Sequence, residues 1–209
     1  MPKQRGNIRA FGFQLAASGL TDADLQGLVE EKPIKKLDLW RTPVTDAGLK
    51  YVARLQQLQT LELGATQVTN AGLKELAPLR RLQFLDLQWT CITDAGLKHL
   101  AALKELQTLN LAGTDITGIG LRPLADLKRL RTLDLAGTNV TPASLKGVTL
   151  LTQLESLNLW GTRATDAGVK HLAKLKKLRS LCITGTRVTA TGAAQLRSAL
   201  PKLRITQRG

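Results

Sequence analysis

The chain has 209 residues, 43% of them apolar and 3% aromatic, with 30 Lys and Arg against 16 Asp and Glu and a formal net charge of +14. This length and composition suit one folded unit rather than a disordered tail, and the scarcity of rings means that the core is assembled from many aliphatic side chains. No apolar run reaches the roughly 18 to 20 residues of a spanning helix, and two cysteines with two histidines supply neither a disulfide framework nor a four-ligand zinc site, which favours a reducing, cytoplasmic setting.

Residues 1–10 form a basic N-terminal segment, and the partly apolar stretch from Ala10 to Leu20 is interrupted by Gln14, so a signal peptide is the minority reading. From residue 11 to 209 the chain reads as one array with a period of 24 residues. The pattern Leu-x-Leu-x-x-Thr begins at Leu37, Leu61, Leu85, Leu109, Leu133 and Leu157, and closes with Leu181, Ile183 and Thr186. A degenerate unit precedes them at Phe13, Leu15 and Ser18, and a shortened strand, Leu203-Arg204-Ile205, follows.

Within a unit, Leu37 and Leu39 alternate as a strand does, placing both side chains on one face. The period then changes: Leu49, Val52 and Ala53 recur at helical spacing behind Thr45, a suitable N-cap whose hydroxyl accepts from an unpaired N–H. That threonine returns as Thr21, Thr69, Thr93, Thr117, Thr141, Thr165 and Thr189. Asp46, Asp94 and Asp166 complement the positive helix start, and Pro142 takes the first helical position. The predicted unit is a short strand, a turn and a short helix.

These units resemble leucine-rich repeats, specifically the 24-residue Thr-Asp-Ala-Gly-Leu type of bacterial repeat proteins related to the ribonuclease-inhibitor-like class. The resemblance covers about residues 11 to 205 and implies an α/β solenoid with a curved parallel sheet on the concave face and short helices on the convex face. The family usually carries Asn where Thr42 and its six equivalents stand, and a threonine ladder is expected to take the same backbone-satisfying role. The resemblance also implies a non-enzymatic, monomeric protein- or peptide-binding scaffold without a cofactor.

Catalytic patterns are missing from the sequence. His99 and His171 fall in one column of the repeat on the outer side of the helices, three units apart, and are expected at the surface roughly 14 Å from one another. Gly118-Ile119-Gly120 lacks the third glycine of a dinucleotide fingerprint, and Asn139-Val140-Thr141, although a glycosylation acceptor by pattern, is accounted for by the cap at Thr141. Cys91 and Cys182 lie four strands apart, roughly 19 Å, and are expected to be free thiols.

Four positions per unit are expected to line the concave face, and all three tryptophans fall in them, as Trp40, Trp89 and Trp160, with Phe84 beside them. Exposed indoles rimmed by polar groups suit a binding surface; the alternative is that they pack over a neighbouring unit's turn. Ala112, Gly113, Ala136 and Gly137 lie between Trp89 and Trp160, so a shallow trough is expected between two indoles roughly 14 Å apart, flanked by Asn110, Asp134 and Asn158. A smaller copy is expected between Trp40 and Trp89, floored by Gly64 and Ala65 beside Glu62. The expected ligand residues are therefore Trp40, Glu62, Phe84, Trp89, Asn110, Ala112, Asp134, Ala136, Asn158 and Trp160.

The helices carry the opposite charge. Lys50, Lys74, Lys98, Arg122, Lys146 and Lys170 form one column over six consecutive units. The competing function is thus binding of an anionic polymer, nucleic acid or an acidic surface, by this convex ridge. A solvated face that maintains solubility is favoured over it, because no aromatic residues interleave with the lysines for base stacking.

Overall fold

Each unit contributes one three-residue strand to a single sheet whose strand order follows the chain. The computed structural model describes residues 8–9, 12–28 and 34–207. Its strands are β1 (Ile8–Arg9), β2 (Gly12–Gln14), β3 (Lys36–Asp38), β4 (Thr60–Glu62) and β5 (Phe84–Asp86), followed by β6 (Thr108–Asn110), β7 (Thr132–Asp134), β8 (Ser156–Asn158), β9 (Ser180–Cys182) and β10 (Arg204–Thr206). β1, within the basic N-terminal segment, pairs antiparallel with β2, and every later strand runs parallel to its predecessor. The register is in step throughout, so Leu37, Leu61, Leu85, Leu109, Leu133, Leu157 and Leu181 stack as one buried row. Phe13 pairs with Leu37 as the degenerate first unit requires. The last strand is Arg204–Thr206 rather than the expected Leu203–Ile205, with Ile205 paired to Leu181, because Leu203 repeats the turn bond made by Leu178 and still belongs to the approach to the strand.

The other layer holds α1 (Asp22–Leu28), α2 (Asp46–Val52), α3 (Asn70–Leu73), α4 (Leu145–Val148), α5 (Asp166–Val169) and α6 (Ala190–Ala199). Where short α-helices were expected in the middle units, Asp94–Ala102 and Ile119–Asp126 are wound as 3-10 helix, and α3 and α5 continue as 3-10 turns. The tighter winding rises roughly 2.0 Å per residue instead of 1.5 Å, so eight or nine residues cross the convex side and still leave chain for the return to the sheet. Helices are also wider than the roughly 4.8 Å strand spacing, which splays them apart and curves the sheet inward.

Two hydrogen-bond ladders lock the repeat. On the inner side Thr42 Oγ1 donates to Leu39 O at 2.7 Å, and Thr66, Thr90, Thr114, Thr138, Thr162 and Thr186 do the same to the carbonyl three residues earlier. The first six of these threonines are buried, and each ties down the turn that ends its own strand. On the helix side the acidic residues do more than meet a dipole. Asp46 accepts from Thr69 N–H at 2.8 Å and from Thr69 Oγ1 at 2.6 Å, so it staples its unit to the next. Asp22 to Thr45, Asp94 to Thr117 and Asp166 to Thr189 repeat the staple, and Asn70 keeps it by accepting from Thr93 N–H and donating Nδ2 to Thr93 Oγ1. Gly118 and Pro142 occupy the stapling position of two consecutive units, and there Thr141 turns to Ser144 within its own unit while Thr165 makes no side-chain cap bond.

Leu111 is fully buried and Lys98 is exposed. Leu111→Ala should cost about 2–5 kcal/mol of unfolding free energy, whereas Lys98→Ala should stay within about 0.5 kcal/mol, as read by urea denaturation. Asp46→Ala removes two bonds to Thr69 and should cost about 1–3 kcal/mol in the same measurement.

Candidate functional site

The regular strand ends one residue before Leu39, so only two of the four expected columns lie on the strand. The third and fourth, which hold the tryptophans, sit on the turn beyond it and form a rim at the carboxyl ends of the strands. In the fourth column the backbone is left-handed, with φ between 52° and 54° at Ala17, Arg41, Ala65 and Trp89 and between 62° and 68° at Gly113, Gly137, Gly161 and Gly185. That conformation lets the ladder continue past the strands: Trp89 N–H donates to Ala112 O at 2.8 Å and Gly137 N–H to Trp160 O at 2.7 Å. Glycine takes it without strain, whereas an L-residue pays roughly 1–2 kcal/mol.

The three indoles are not equivalent. Trp89 is 59% exposed and Trp160 54% exposed, whereas Trp40 is half-buried. Each leans towards the following unit. The ring of Trp40 lies where a side chain on Gly64 would project, and that of Trp89 covers Gly113 in the same way. The guanidinium of Arg41 stacks 5.2 Å from the Trp40 ring centroid, and the Trp40 Nε1 is buried without a hydrogen-bond partner. The smaller trough expected on Gly64 is therefore covered by Trp40 itself. Between Trp89 and Trp160 the first floor residue, Gly113, lies under the Trp89 ring, and Trp160 leans away towards Gly185. Half-buried Ala136 and exposed Gly137 and Gly161 form a shelf of small residues between the Trp89 ring and Trp160. Phe84, at the opposite end of β5 in register with Thr60 and Thr108, is not part of it.

The polar column beside the shelf has a structural duty that its sequence did not disclose. Asn110, Asp134 and Asn158 each spend Oδ1 on the N–H two residues on, at 3.0, 2.8 and 3.0 Å, which holds the turn carrying Ala112, Ala136 or Trp160. Asp134 Oδ2 also accepts from Asn158 Nδ2 at 3.0 Å. Asn110 Nδ2 has no protein partner among the described residues, so a donor and a braced carboxylate face the open side. The signal available in sequence was Asp or Asn two residues ahead of each turn residue, the spacing of an Asx turn.

The repeat geometry and the sequence pattern are matched by a family model of the leucine-rich repeat region over residues 43–208. The chain belongs to the leucine-rich-repeat family. This leucine-rich-repeat protein is similar to internalin C2 of Listeria monocytogenes, at 26% identity and a TM-score of 0.72 over 95% of this chain and 80% of that one. A second Listeria monocytogenes internalin (20% identity, TM-score 0.53, 95% of this chain and 67% of that one) shares the fold, as does a leucine-rich-repeat protein of Leptospira interrogans (23%, 0.62, 87% and 50%). No curated protein matches the chain. The family and the similarity to internalin C2 support a protein-interaction scaffold.

On the convex side of the leucine-rich-repeat array, Lys50, Lys74, Lys98, Arg122, Lys146 and Lys170 are all exposed, with one long ion pair, Lys74 to Glu75 at 3.9 Å, among the six. His99 and His171 are half-buried there. Cys91 and Cys182 are free thiols. Among the described residues no group of three or more His, Cys, Asp or Glu is placed to hold a metal ion, and no helix is long and apolar enough to cross a membrane.

Asp38, Glu62 and Asp86 stand in register on β3, β4 and β5. Burial, followed by the charges of Asp38 and Asp86, raises the Glu62 carboxyl above its ordinary value. Asp86, almost wholly buried, is also raised, by burial above all and against the two hydrogen bonds from Gln88. A carboxylic acid raised on folding stabilises the fold below its unfolded pKa, and that contribution is lost as pH rises through the folded value. Glu62→Gln should therefore melt higher than the parent at neutral pH, with the gap closing as pH falls towards 4. Thermal melting followed across that range checks the sign.

Proposed function

We propose that this chain is a non-enzymatic, monomeric leucine-rich-repeat scaffold of a reducing, cytoplasmic compartment, forming one array over residues 11–209, that binds an extended protein segment on the rim of its concave face. Trp89 carries the proposal. Its indole is more than half exposed on a left-handed backbone that glycine supplies in the four units that follow. A bulky residue held there is strained, and strain kept in a fold with so few aromatics is a reason to look for recognition. Contact with Gly113 offsets part of the cost and holds the ring in place.

Trp160 closes the far side of the shelf, and the small floor lets a backbone approach the sheet closely. Asn110 Nδ2 and the Asp134 carboxylate suit a partner bearing an amide or a basic side chain. Aromatic residues dominate the energetics of such sites.

Peptides selected from a displayed library on the intact protein provide the test. Trp89→Gly should change unfolding free energy by no more than about 1 kcal/mol, because relieved strain and lost ring contact oppose each other, yet weaken the selected peptide by about 1–4 kcal/mol. Ala136→Arg should block the shelf and leave melting unchanged, its side chain pointing away from the core. Affinity that survives both Ala136→Arg and Trp160→Ala in folded protein rules the shelf out.

A further inference from the structure

The positive charge of the chain is concentrated at one end. Eleven of the 30 Lys and Arg but one of the 16 Asp and Glu fall in residues 161–209, so ten of the fourteen net charges belong to the last quarter of the sequence. The one acid there, Asp166, is occupied by Thr189, whose N–H and hydroxyl hold its carboxylate below the usual range. Glu155, the acid that comes next before it, pairs with Arg131 at 3.2 Å.

Three of these cations converge. Lys176, Arg179 and Lys202 line a groove of about 320 Å³ whose remaining lining is Ala199, Leu200 and Pro201. Arg179 lies directly before β9 and Lys202 shortly before β10, so the groove is on the rim opposite to the tryptophans. Among the described residues no carboxylate lines it and no ion pair uses these three side chains. Arg179 is positioned beforehand: its Nη1 donates to Lys176 O at 3.1 Å and to Leu178 O at 3.3 Å. Its Nε and Nη2 keep their donors for a ligand.

We propose that this groove binds a multiply charged phosphate group. Three neighbouring cations exceed what one carboxylate neutralises, whereas a phosphate monoester carries roughly −1.5 to −2 at neutral pH and a diphosphate more. The planar guanidinium offers paired donors to phosphate oxygens, and the two ammonium groups act as point charges. The apolar floor of Ala199, Leu200 and Pro201 brings no competing acceptor side chain. A free phosphorylated compound and adjacent phosphates of a nucleic-acid backbone present the same chemistry. The lining has no ring on which a base could stack, so recognition is of phosphate rather than of sequence. This groove differs from the convex column, whose cations stand one per unit and share no lined cavity with these three.

Calorimetric titration of the intact chain at physiological salt, with inorganic pyrophosphate and separately with a short oligothymidylate, tests the proposal. Lys176→Gln with Lys202→Gln should weaken binding about tenfold or more. Lys98→Gln with Lys146→Gln, which removes the same charge from the convex column, should change it by less than about threefold. Arg179→Lys keeps the charge but loses the fork and should also weaken binding. All of these side chains are exposed, so the variants should melt with the parent. Binding of pyrophosphate as tightly as the oligonucleotide or more tightly supports a free phosphate compound as the source, and tighter binding of the oligonucleotide supports a nucleic-acid backbone. Equal losses in the two double variants, or binding of neither probe, overturns the proposal.

Discussion

No single unit of this protein can bury its own leucines; they are buried because the next unit presents the same residues in the same register. With strands roughly 4.8 Å apart, the row from Leu37 to Leu181 is continuous, and a slip of one residue would turn the whole row towards solvent. The two ladders guard against that slip. The threonine hydroxyls fix where each strand ends, and the Asp–Thr staples fix how far each helix sits from the one before it. Their different reach explains their different tolerance: the threonine ladder, internal to each unit, is unbroken from Thr42 to Thr186, while the staple, which needs two units to agree, lapses at Gly118 and Pro142.

The rim follows from the same constraint. Once the ladder is to continue beyond the strands, the fourth column must turn left-handed, and glycine is the inexpensive solution that four units adopt. Trp89 departs from it. Where packing alone would accept a glycine, the chain keeps an indole that is mostly in solvent, and its ring lies over the first of those glycines. The neighbouring carboxamides and carboxylate brace the turns from behind, so the surface is held rigid before anything binds.

Charge is arranged by a separate logic. On the concave face burial, reinforced by neighbouring acids, pushes Glu62 and Asp86 towards the neutral form, and the convex face repeats one cation per unit. Neither arrangement disturbs the core, because alternate strand positions and outward helix positions are free of packing duties. The last two units add a dense group of cations with hardly any acid to pair with them, which makes the two rims of the array chemically unlike.

The period, the strand leucines, the capping threonines and the free cysteines were legible from the sequence, because a repeat that recurs every 24 residues reports its own inward positions. So were the column memberships of Trp40, Trp89 and Trp160, since columns are arithmetic. Tertiary structure alone decided which of those side chains is open. Trp40 and Trp89 share a rim, yet one is closed in by Arg41 and its own position over Gly64 while the other stands in solvent, and the lean of a ring is set by neighbours 24 residues away. The Asp–Thr staples likewise become visible only when residues 23 apart are brought within hydrogen-bond distance, whereas the Asx turns are local and had their signal in the spacing of Asp or Asn. The convergence of Lys176, Arg179 and Lys202 belongs to the same class: sequence lists the charges, and the return of the chain before β10 brings them to one groove.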